Sequence, residues 1–320
     1  MNRDYQWPES SFKLTSLELG ELNTSIAYIE QYFTELLSAR CYLFPSARSA
    51  LSAVLSFESI TRNHLLYAPK WSSHCVWDIL ARYGNPCANY SKDIDVTLNV
   101  NKWGLPFNNS SKSILQVNDS VDSIFINNTE LFRGSNYELI SLPKTIGSFS
   151  GGLLMVKDTS IGDYIDELRQ SSNITLAENQ QQLKIDMLTS IERLISWEEF
   201  DWRNFIIKQQ ALTNIGHCMK NYAIAQGVIK TRLAQVRNSM NIDYLNLAPS
   251  RLPCVLPIKL SPSLDDFPTE LMNRMFNFSQ KNECSTFETA SLLPLHIGIS
   301  DKEFAKFMTI FAPQHKLRGS

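Results

Sequence analysis

Between Cys41 and Asp158, short apolar runs alternate with helix-like stretches, and this alternation restricts the folds that the chain can adopt. The run CYLF, for example, leads directly into SARSALSAVLSF, a segment with a helix-like pattern. The other strand candidates are HLLYAP, SILQV, SIFI, ELIS and GGLLMV. Strands that alternate with helices are typical of α/β proteins, so we predict a largely parallel sheet covered by helices.

The pattern becomes helical beyond Ile161, and prolines interrupt it beyond Leu247. Apolar residues at three- and four-residue spacing predict helices that bridge two domains, in LKIDMLTSIERLISW and RNFIIKQQALTNIGHCMKNYAIAQGVI. The proline-rich part predicts one strand and two helices, which are CVLPIKL, TELMNRMFNFSQ and SDKEFAKFMTIFA. We therefore predict a large α/β domain with a long helical connection over residues 1–240 and a small C-terminal α+β domain over residues 241–320.

Charge and composition argue against several classes of partner. The chain has 30 basic and 32 acidic residues without a run of five like charges, so we expect no nucleic-acid partner. No stretch approaches the roughly 18 apolar residues that span a bilayer, and the first residues have no apolar segment, so we expect a cytoplasmic protein without a membrane span. The six cysteines are far apart, which predicts neither disulfides nor a metal site.

Two of the predicted strand ends carry residues suited to binding an anion and a flat ring. In FPSARSAL, small residues and Arg48 open a helix, whose unpaired N–H groups and dipole favour a phosphate. In LLYAPKWSSH, Trp71 lies at the carboxyl end of a strand, where open α/β sheets bind ligands. Structural alternatives stay open for both: Ser46 caps its helix, and Trp71 packs against the helix that follows it.

The segment ISLPKTIGSFSGGLLMV places one lysine, Lys144, between a strand and a turn rich in serine and glycine. A partly desolvated lysine at a sheet edge favours its neutral amine, which can form a Schiff base with a carbonyl group. The adjacent glycines would let a phosphate or a ring approach the backbone closely. The alternative is a solvated loop lysine, and Lys144 taken alone does not decide between the two.

Taken in order, these segments resemble fold-type I pyridoxal-phosphate enzymes, and more narrowly the DegT/StrS family of sugar aminotransferases. SARSAL is similar to the family's phosphate-binding start, and YAPKWSSHCV is similar to the segment that supplies its ring-stacking residue. Three further segments resemble its H-x-Y-G-x-P turn, its lysine segment and its closing element, namely NKWGLPFNN at 101–109, ISLPKTIGSFSGG and LLPLHIGISDKEFAKFM. The resemblance runs from about residue 40 to residue 312.

The resemblance implies a fold-type I transferase in which Lys144 is the Schiff-base lysine for pyridoxal 5'-phosphate and moves the substrate proton. The cofactor-binding residues that it implies are Ser46, Ala47, Arg48 and Ser141 for the phosphate and Trp71 for the ring. It further implies a homodimer with active sites at the interface. The implied activity is amino transfer from an amino acid such as glutamate to a keto-sugar nucleotide, in cell-surface polysaccharide biosynthesis.

The family's aspartate, which lies in an E-D-x-A element after a strand and keeps the pyridine nitrogen protonated, has no evident match. The strand candidate SIFI ends in Asn127 and Asn128, so we place these amides at the ring nitrogen, where they supply no negative charge. Two functions stay open: an active aminotransferase, or a catalytically degenerate protein with a binding or regulatory role. A third, sugar dehydration, is disfavoured because that branch of the family has histidine at the position of Lys144.

Overall fold

The fold is described from a computed structural model that covers residues 5–8, 25–106, 113–171, 205–259, 268, 271, 274–276 and 288–316. In chain order its helices and strands are α1 (Ile26–Leu37), β1 (Arg40–Phe44), α2 (Ala47–Phe57), β2 (Leu65–Tyr67), α3 (His74–Tyr83), β3 (Asn85–Cys87), β4 (Val96–Val100), β5 (Leu115–Asp119), β6 (Ser123–Phe125), β7 (Tyr137–Ser141), α4 (Leu142–Ile146), β8 (Gly152–Val156), α5 (Ile161–Ser171), α6 (Phe205–Cys218), α7 (Asn221–Ser239), β9 (Arg251–Pro253), β10 (Val255–Ile258), β11 (Arg274–Phe276), β12 (Glu288–Pro294) and α8 (Asp301–Lys316).

Seven of these strands form a central sheet in the order β1-β8-β7-β5-β4-β2-β3. Strand β8 pairs antiparallel with both β1 and β7, whereas the remaining pairs are parallel. Six strands therefore run in one direction, and their carboxyl ends lie along one edge of the sheet. In sheets of this kind ligands bind outside that edge, which makes it the place to look for a site.

The sequence explains why the central sheet is covered by helices. All five residues of β8 are buried, as expected for a strand with helices on both faces. Helix α2 buries a continuous apolar face that contains Leu51, Val54 and Leu55. Small residues on α2 and Gly152 on β8 allow the helix to pack closely on the strand, because a Cβ at Gly152 would lie 2.2 Å from Ala47 N.

The C-terminal part forms a three-stranded antiparallel sheet in the order β10-β12-β11, followed by α8. The helix predicted over TELMNRMFNFSQ is wrong at residues 274–276, which pair with β12 as a strand. The predicted helix LKIDMLTSIERLISW lies outside the described residues. The division into domains 1–240 and 241–320 stays a proposal. None of the helices in the described ranges is both long and apolar enough to cross a membrane.

One predicted strand has a different place from the one expected. SIFI does form β6, but β6 pairs antiparallel with β9 in a separate two-stranded sheet. The strand that enters the central sheet at the corresponding position is β5, from the run SILQV. This difference changes which residues reach the ligand-binding edge.

Candidate active site

Lys144 lies at the carboxyl edge of the central sheet, in the short helix α4 that directly follows β7. Ser141 ends β7, Pro143 occupies the first turn of α4, and Gly147 ends the helix in the left-handed region at φ 72°. The amine of Lys144 lies 3.0 Å from Asp122 Oδ1, and the Lys144 side chain is 33% exposed. The Lys144 side chain is therefore partly exposed, while its amine is paired with Asp122.

Asp122 connects Lys144 to the turn that follows β4. Its Oδ1 accepts a hydrogen bond from Lys144, and its Oδ2 accepts one from the Trp103 backbone N–H at 3.0 Å. Trp103 has φ 57° and Gly104 has φ 84°, so the turn bends back toward the carboxylate. A Cβ at Gly104 would lie 2.7 Å from Pro253 Cα, so this position needs glycine.

Lys144 is charged, whereas burial alone would favour its neutral amine. Burial lowers the pKa of Lys144, but Asp122 and then Asp119 outweigh it, and the pKa is raised overall. The amine is therefore a cation at neutral pH. The expectation of a neutral amine is wrong, because the sequence does not show that two carboxylates face this lysine.

Asp119 is a residue that the sequence analysis missed. It ends β5, the neighbour of β7 in the sheet, and its carboxylate is buried and accepts a hydrogen bond from the Val121 N–H at 3.3 Å. Burial raises the pKa of Asp119 to about 6, and Lys144 acts against this rise. A buried carboxylate is stabilised by a cationic partner. The signal was present, since SILQV is followed directly by Asn118 and Asp119.

Asn127 and Asn128 do not reach this edge. Asn127 caps a short 3₁₀ turn through the Thr129 N–H, and Asn128 Nδ2 donates to the Ser38 carbonyl at 3.4 Å. Ser38 comes just before β1, whose amino end lies at the opposite edge of the sheet from Lys144. The expectation that these asparagines lie beside the ring nitrogen is therefore wrong, and the carboxylate at this edge is that of Asp119, which ends β5.

The start of α2 meets the segment after Lys144. Ser46 caps α2 by accepting a hydrogen bond from the Ser49 N–H at 3.1 Å, as one of the two interpretations proposed. The Gly151 N–H donates to the Pro45 carbonyl at 2.8 Å, which joins the glycine segment to this helix start. Ala47 and Arg48 form the first residues of the helix, next to Gly152. A helix start, bordered by glycine, is suited to a phosphate.

Trp71 lies in the turn between β2 and α3. This turn is held by Ser72, whose N–H and hydroxyl both donate to the Pro69 carbonyl, at 2.8 and 2.6 Å. The Trp71 side chain is half-buried. Cys75, at the start of α3, contributes to the raised pKa of Lys144, after the larger effects of burial, Asp122 and Asp119. The structure thus brings the Trp71 segment to the Lys144 edge, while stacking on a ring stays a prediction.

Lys102 is a second amine at this edge that the sequence analysis did not select. Its amine lies 4.6 Å from the centroid of the Trp103 ring. Burial lowers the pKa of Lys102 to about 8, against the influence of Asp122 and with a smaller contribution from Arg274. The sequence did contain a signal for Lys102, because this lysine is the second residue after β4, within the segment NKWG. Its lowered pKa makes it the necessary control for any test of Lys144.

Two sizeable clefts lie away from Lys144, Asp119 and Asp122, although one of them reaches Pro45 and Ser49 at the start of α2. One of about 840 Å³ is formed between α7 and α8, and one of about 650 Å³ lies beside α2 and α5. Neither is lined by Lys144, Asp119 or Asp122. We place the candidate site at the sheet edge because titratable groups with shifted pKa values converge there.

The residues at the edge fit pyridoxal phosphate in three respects. Lys144 offers an amine on a partly exposed side chain for its carbonyl group. Asp119 offers a buried carboxylate for its cationic ring nitrogen. The α2 start offers backbone N–H groups and a glycine surface for its phosphate. Ser150, in the adjoining segment, has a buried hydroxyl that finds no hydrogen-bond partner among the described residues.

Comparisons with known proteins identify the family of the chain. The family model described as "Putative PLP-dependent aminotransferase" matches residues 29–311. A search of curated protein sequences finds no match.

Solved structures share the fold over nearly the whole chain. The structure described as "Putative sugar aminotransferase Spr1654 from Streptococcus pneumoniae, PMP-form" is similar with a TM-score of 0.61 and 12% identity, over 97% of this chain and 99% of that one. DesV of S. venezuelae gives 0.56 and 12%, over 95% and 92%. The sugar aminotransferase CalS13 of Micromonospora echinospora gives 0.56 and 11%, over 90% and 91%. The predicted fold-type I architecture is confirmed, and pyridoxal phosphate is the cofactor of the matched family. The chain belongs to the family of PLP-dependent aminotransferases.

Proposed function

We propose that this aminotransferase moves an amino group from an amino acid such as glutamate to a keto-sugar nucleotide, in cell-surface polysaccharide biosynthesis. The observation that carries the proposal is the Lys144 amine 3.0 Å from Asp122, at the sheet edge where Asp119 ends β5. The sugar acceptor is supported by the similar structures that are described as sugar aminotransferases.

Lys144 is the proposed Schiff-base lysine. Pyridoxal phosphate, when bound, supplies a carbonyl group that condenses with amines and a ring that withdraws electrons from the carbon bearing the amine. The Lys144 amine must lose its proton before it attacks a carbonyl group. Asp122 accepts a hydrogen bond from that amine, so it holds the proton of the charged form and orients the side chain. As a neutral amine, Lys144 can take a proton from the substrate's α-carbon and later return it.

The remaining residues hold and orient the cofactor in this proposal. Asp119 would hold the ring nitrogen in its protonated form, since a buried carboxylate favours a cation beside it. Ser46, Ala47 and Arg48 at the start of α2 would bind the phosphate with the help of Ser141, and Trp71 would stack on the ring.

The observation that favoured a catalytically degenerate protein no longer supports that alternative. It depended on Asn127 and Asn128 in place of an aspartate, and Asn128 contacts Ser38 at the other edge of the sheet. Asp119 supplies the carboxylate whose absence had suggested lost chemistry. No other feature of the described residues favours a purely binding role.

We also propose a cytoplasmic homodimer with its active sites at the interface. Light scattering coupled to size-exclusion chromatography should give twice the mass of the 36.5 kDa chain. A mass of one chain, at concentrations where the enzyme is active, would contradict the dimer.

The experiment that tests the role of Lys144 combines absorption spectroscopy with peptide mapping. Wild type, Lys144→Ala and Lys102→Ala are each mixed with pyridoxal phosphate, and borohydride is then added. We expect a near-visible band in wild type and Lys102→Ala, with the reduced cofactor attached to the peptide that contains Lys144. Attachment to Lys102, or a band that survives in Lys144→Ala, would overturn the assignment.

The same preparations then test the reaction. Glutamate should abolish the near-visible band as the amino group moves to the cofactor, and keto-sugar nucleotides should restore it. A band that no amino acid changes would overturn the proposed activity.

A further inference from the structure

Trp7, in the segment of residues 5–8, lies beside the amine of Lys144. The amine of Lys144 lies 4.4 Å from the centroid of the Trp7 ring, a cation–π distance. Trp7 is half-buried and packs against the main hydrophobic cluster, so part of its ring is anchored and part is free. The indole ring therefore lies directly beside the amine.

Contacts on both sides of Trp7 hold this segment. His296 Nε2 donates to the Tyr5 carbonyl at 2.8 Å, while His296 Nδ1 accepts from the Gly298 N–H at 3.1 Å, which fixes the orientation of the imidazole. The rings of Tyr5 and Phe307 meet edge to face at 5.8 Å. Since these partners lie within the segment LHIGIS and on α8, the C-terminal part positions the N-terminal segment.

A close approach fixes the other end of the segment. A Cβ at Gly298 would lie 2.7 Å from Pro8 Cα, so only glycine lets the chain pass at this point. Pro8 itself is buried. Trp7 is thus held between two anchored neighbours, and its ring contacts both the core and the Lys144 amine.

We propose that Trp7 is a specificity-determining residue, whose indole stacks on the pyranose ring of the keto-sugar acceptor. The C–H groups on one face of a sugar ring carry partial positive charge, and the face of an indole carries the complementary negative potential. The Lys144 amine lies 4.4 Å from the centroid of the same ring, so a sugar that stacks on the indole would lie next to the proposed Schiff-base lysine.

This inference rests on the proposed function, because it assumes a sugar acceptor. It predicts that Trp7 contributes to binding one of the two substrates and not the other, whereas the proposed function assigns Trp7 no role. The amino donor has no pyranose ring to stack, so the loss of Trp7 should weaken the acceptor and leave the donor nearly unchanged.

The test measures the two half-reactions separately in Trp7→Ala and Trp7→Phe. The probes are glutamate and a dTDP-linked 4-keto-6-deoxyhexose, each followed through the near-visible band, with calorimetric binding of the nucleotide sugar as a second readout. We expect Trp7→Ala to weaken nucleotide-sugar binding about tenfold, with the glutamate half-reaction within about threefold of wild type. Trp7→Phe, which keeps an aromatic face, should retain most of the binding.

Three results would overturn the inference. Equal losses in both half-reactions would mean that Trp7 only supports the fold, and an unchanged affinity for the sugar would mean that the ring is not in contact with it. If wild type itself converts no keto-sugar nucleotide, the proposed function fails first and the inference fails with it. Melting temperatures of the variants separate the first of these results from simple unfolding.

Discussion

At the scale of single residues, the site depends on two aspartates three positions apart in different surroundings. Asp122 is paired with the Lys144 amine and the Trp103 N–H, which stabilise its charge. Asp119 is buried, and burial raises its pKa to about 6. The first therefore controls the proton of the lysine, and the second is poised to receive a cation. The two aspartates therefore give separate predictions, one for the free energy of unfolding and one for the pH dependence of cofactor capture.

Asp119→Asn should stabilise the cofactor-free protein while it impairs cofactor function. A rise in the Asp119 pKa from 3.8 to about 6 corresponds to about 3 kcal/mol of lost stability once the group is ionised. This cost develops as pH rises from 3.8, because the unfolded chain releases its proton first, and it is complete above about 6. Urea unfolding at pH 7.5 should thus show a gain of up to about 3 kcal/mol for the variant.

The gain should shrink as pH falls below 6, where Asp119 becomes protonated in wild type. The matched control is Asp163→Asn, at an exposed position on α5, which should change stability by less than about 0.5 kcal/mol. Lower stability of Asp119→Asn at pH 7.5 would show that the native carboxylate already has sufficient partners without the cofactor.

Asp122→Asn should move the pH dependence of cofactor capture to lower pH. Burial lowers the pKa of Lys144 and Asp122 is the largest influence that raises it, so an amide at 122 lets the amine become neutral at lower pH. The midpoint of the capture rate against pH, followed by absorbance, should fall measurably.

Asp119→Asn should move the same midpoint in the same direction but less, because Asp119 ranks after Asp122 among the influences on Lys144. The stability that the Lys144 pair contributes is present below the ordinary pKa of 10.5 and is lost as pH rises through the raised value in the folded protein. A midpoint that stays in place, or rises, would contradict the proposed control of the lysine by Asp122.

At the scale of elements, sequence patterns identified strands but not their partners. SILQV and SIFI look alike as short apolar runs, yet β5 pairs with β4 and β7 in the central sheet, and β6 pairs with β9. The partner of β6 lies more than 120 residues away, and no local pattern specifies such a pairing. Asp119 was missed for this reason, since its role depends on which strand enters the sheet. Lys144 was found because its glycine segment is a local signal.

The packing of α2 on β8 gives a prediction with a built-in control. Gly152→Ala should reduce stability by about 1–3 kcal/mol and weaken pyridoxal-phosphate affinity, because its Cβ would lie 2.2 Å from Ala47 N and displace the helix start. Gly227→Ala on α7 has nothing within 4 Å and should instead stabilise by up to about 1 kcal/mol, through helix propensity. Urea unfolding and cofactor titration measure both effects. Equal behaviour of the two variants would show that α2 and β8 can move apart freely.

At the scale of the whole molecule, a buried ion pair ties the central sheet to the smaller β6–β9 sheet. Arg251 Nη2 on β9 lies 3.3 Å from Glu138 Oε1 on β7, and both side chains are almost completely buried. The same guanidinium donates to the Glu130 carbonyl at 3.0 Å. Glu138 also accepts hydrogen bonds from Asn118 and Ser120, the residues on either side of Asp119. The network therefore supports the strand end that carries the candidate site.

Arg251→Met should destabilise the protein by about 3–5 kcal/mol, because it leaves the Glu138 carboxylate buried without its cation. The double variant Arg251→Met with Glu138→Gln should recover part of this loss, since no uncompensated charge then stays inside. Urea unfolding of the two single variants and the double variant forms a thermodynamic cycle that gives the coupling between the residues. Additive losses would mean that the two sheets are held together by apolar packing alone. A positive coupling would instead show that Glu138, which binds the two neighbours of Asp119, depends on a residue of the β6–β9 sheet. The sequence of the central strands alone does not specify that dependence.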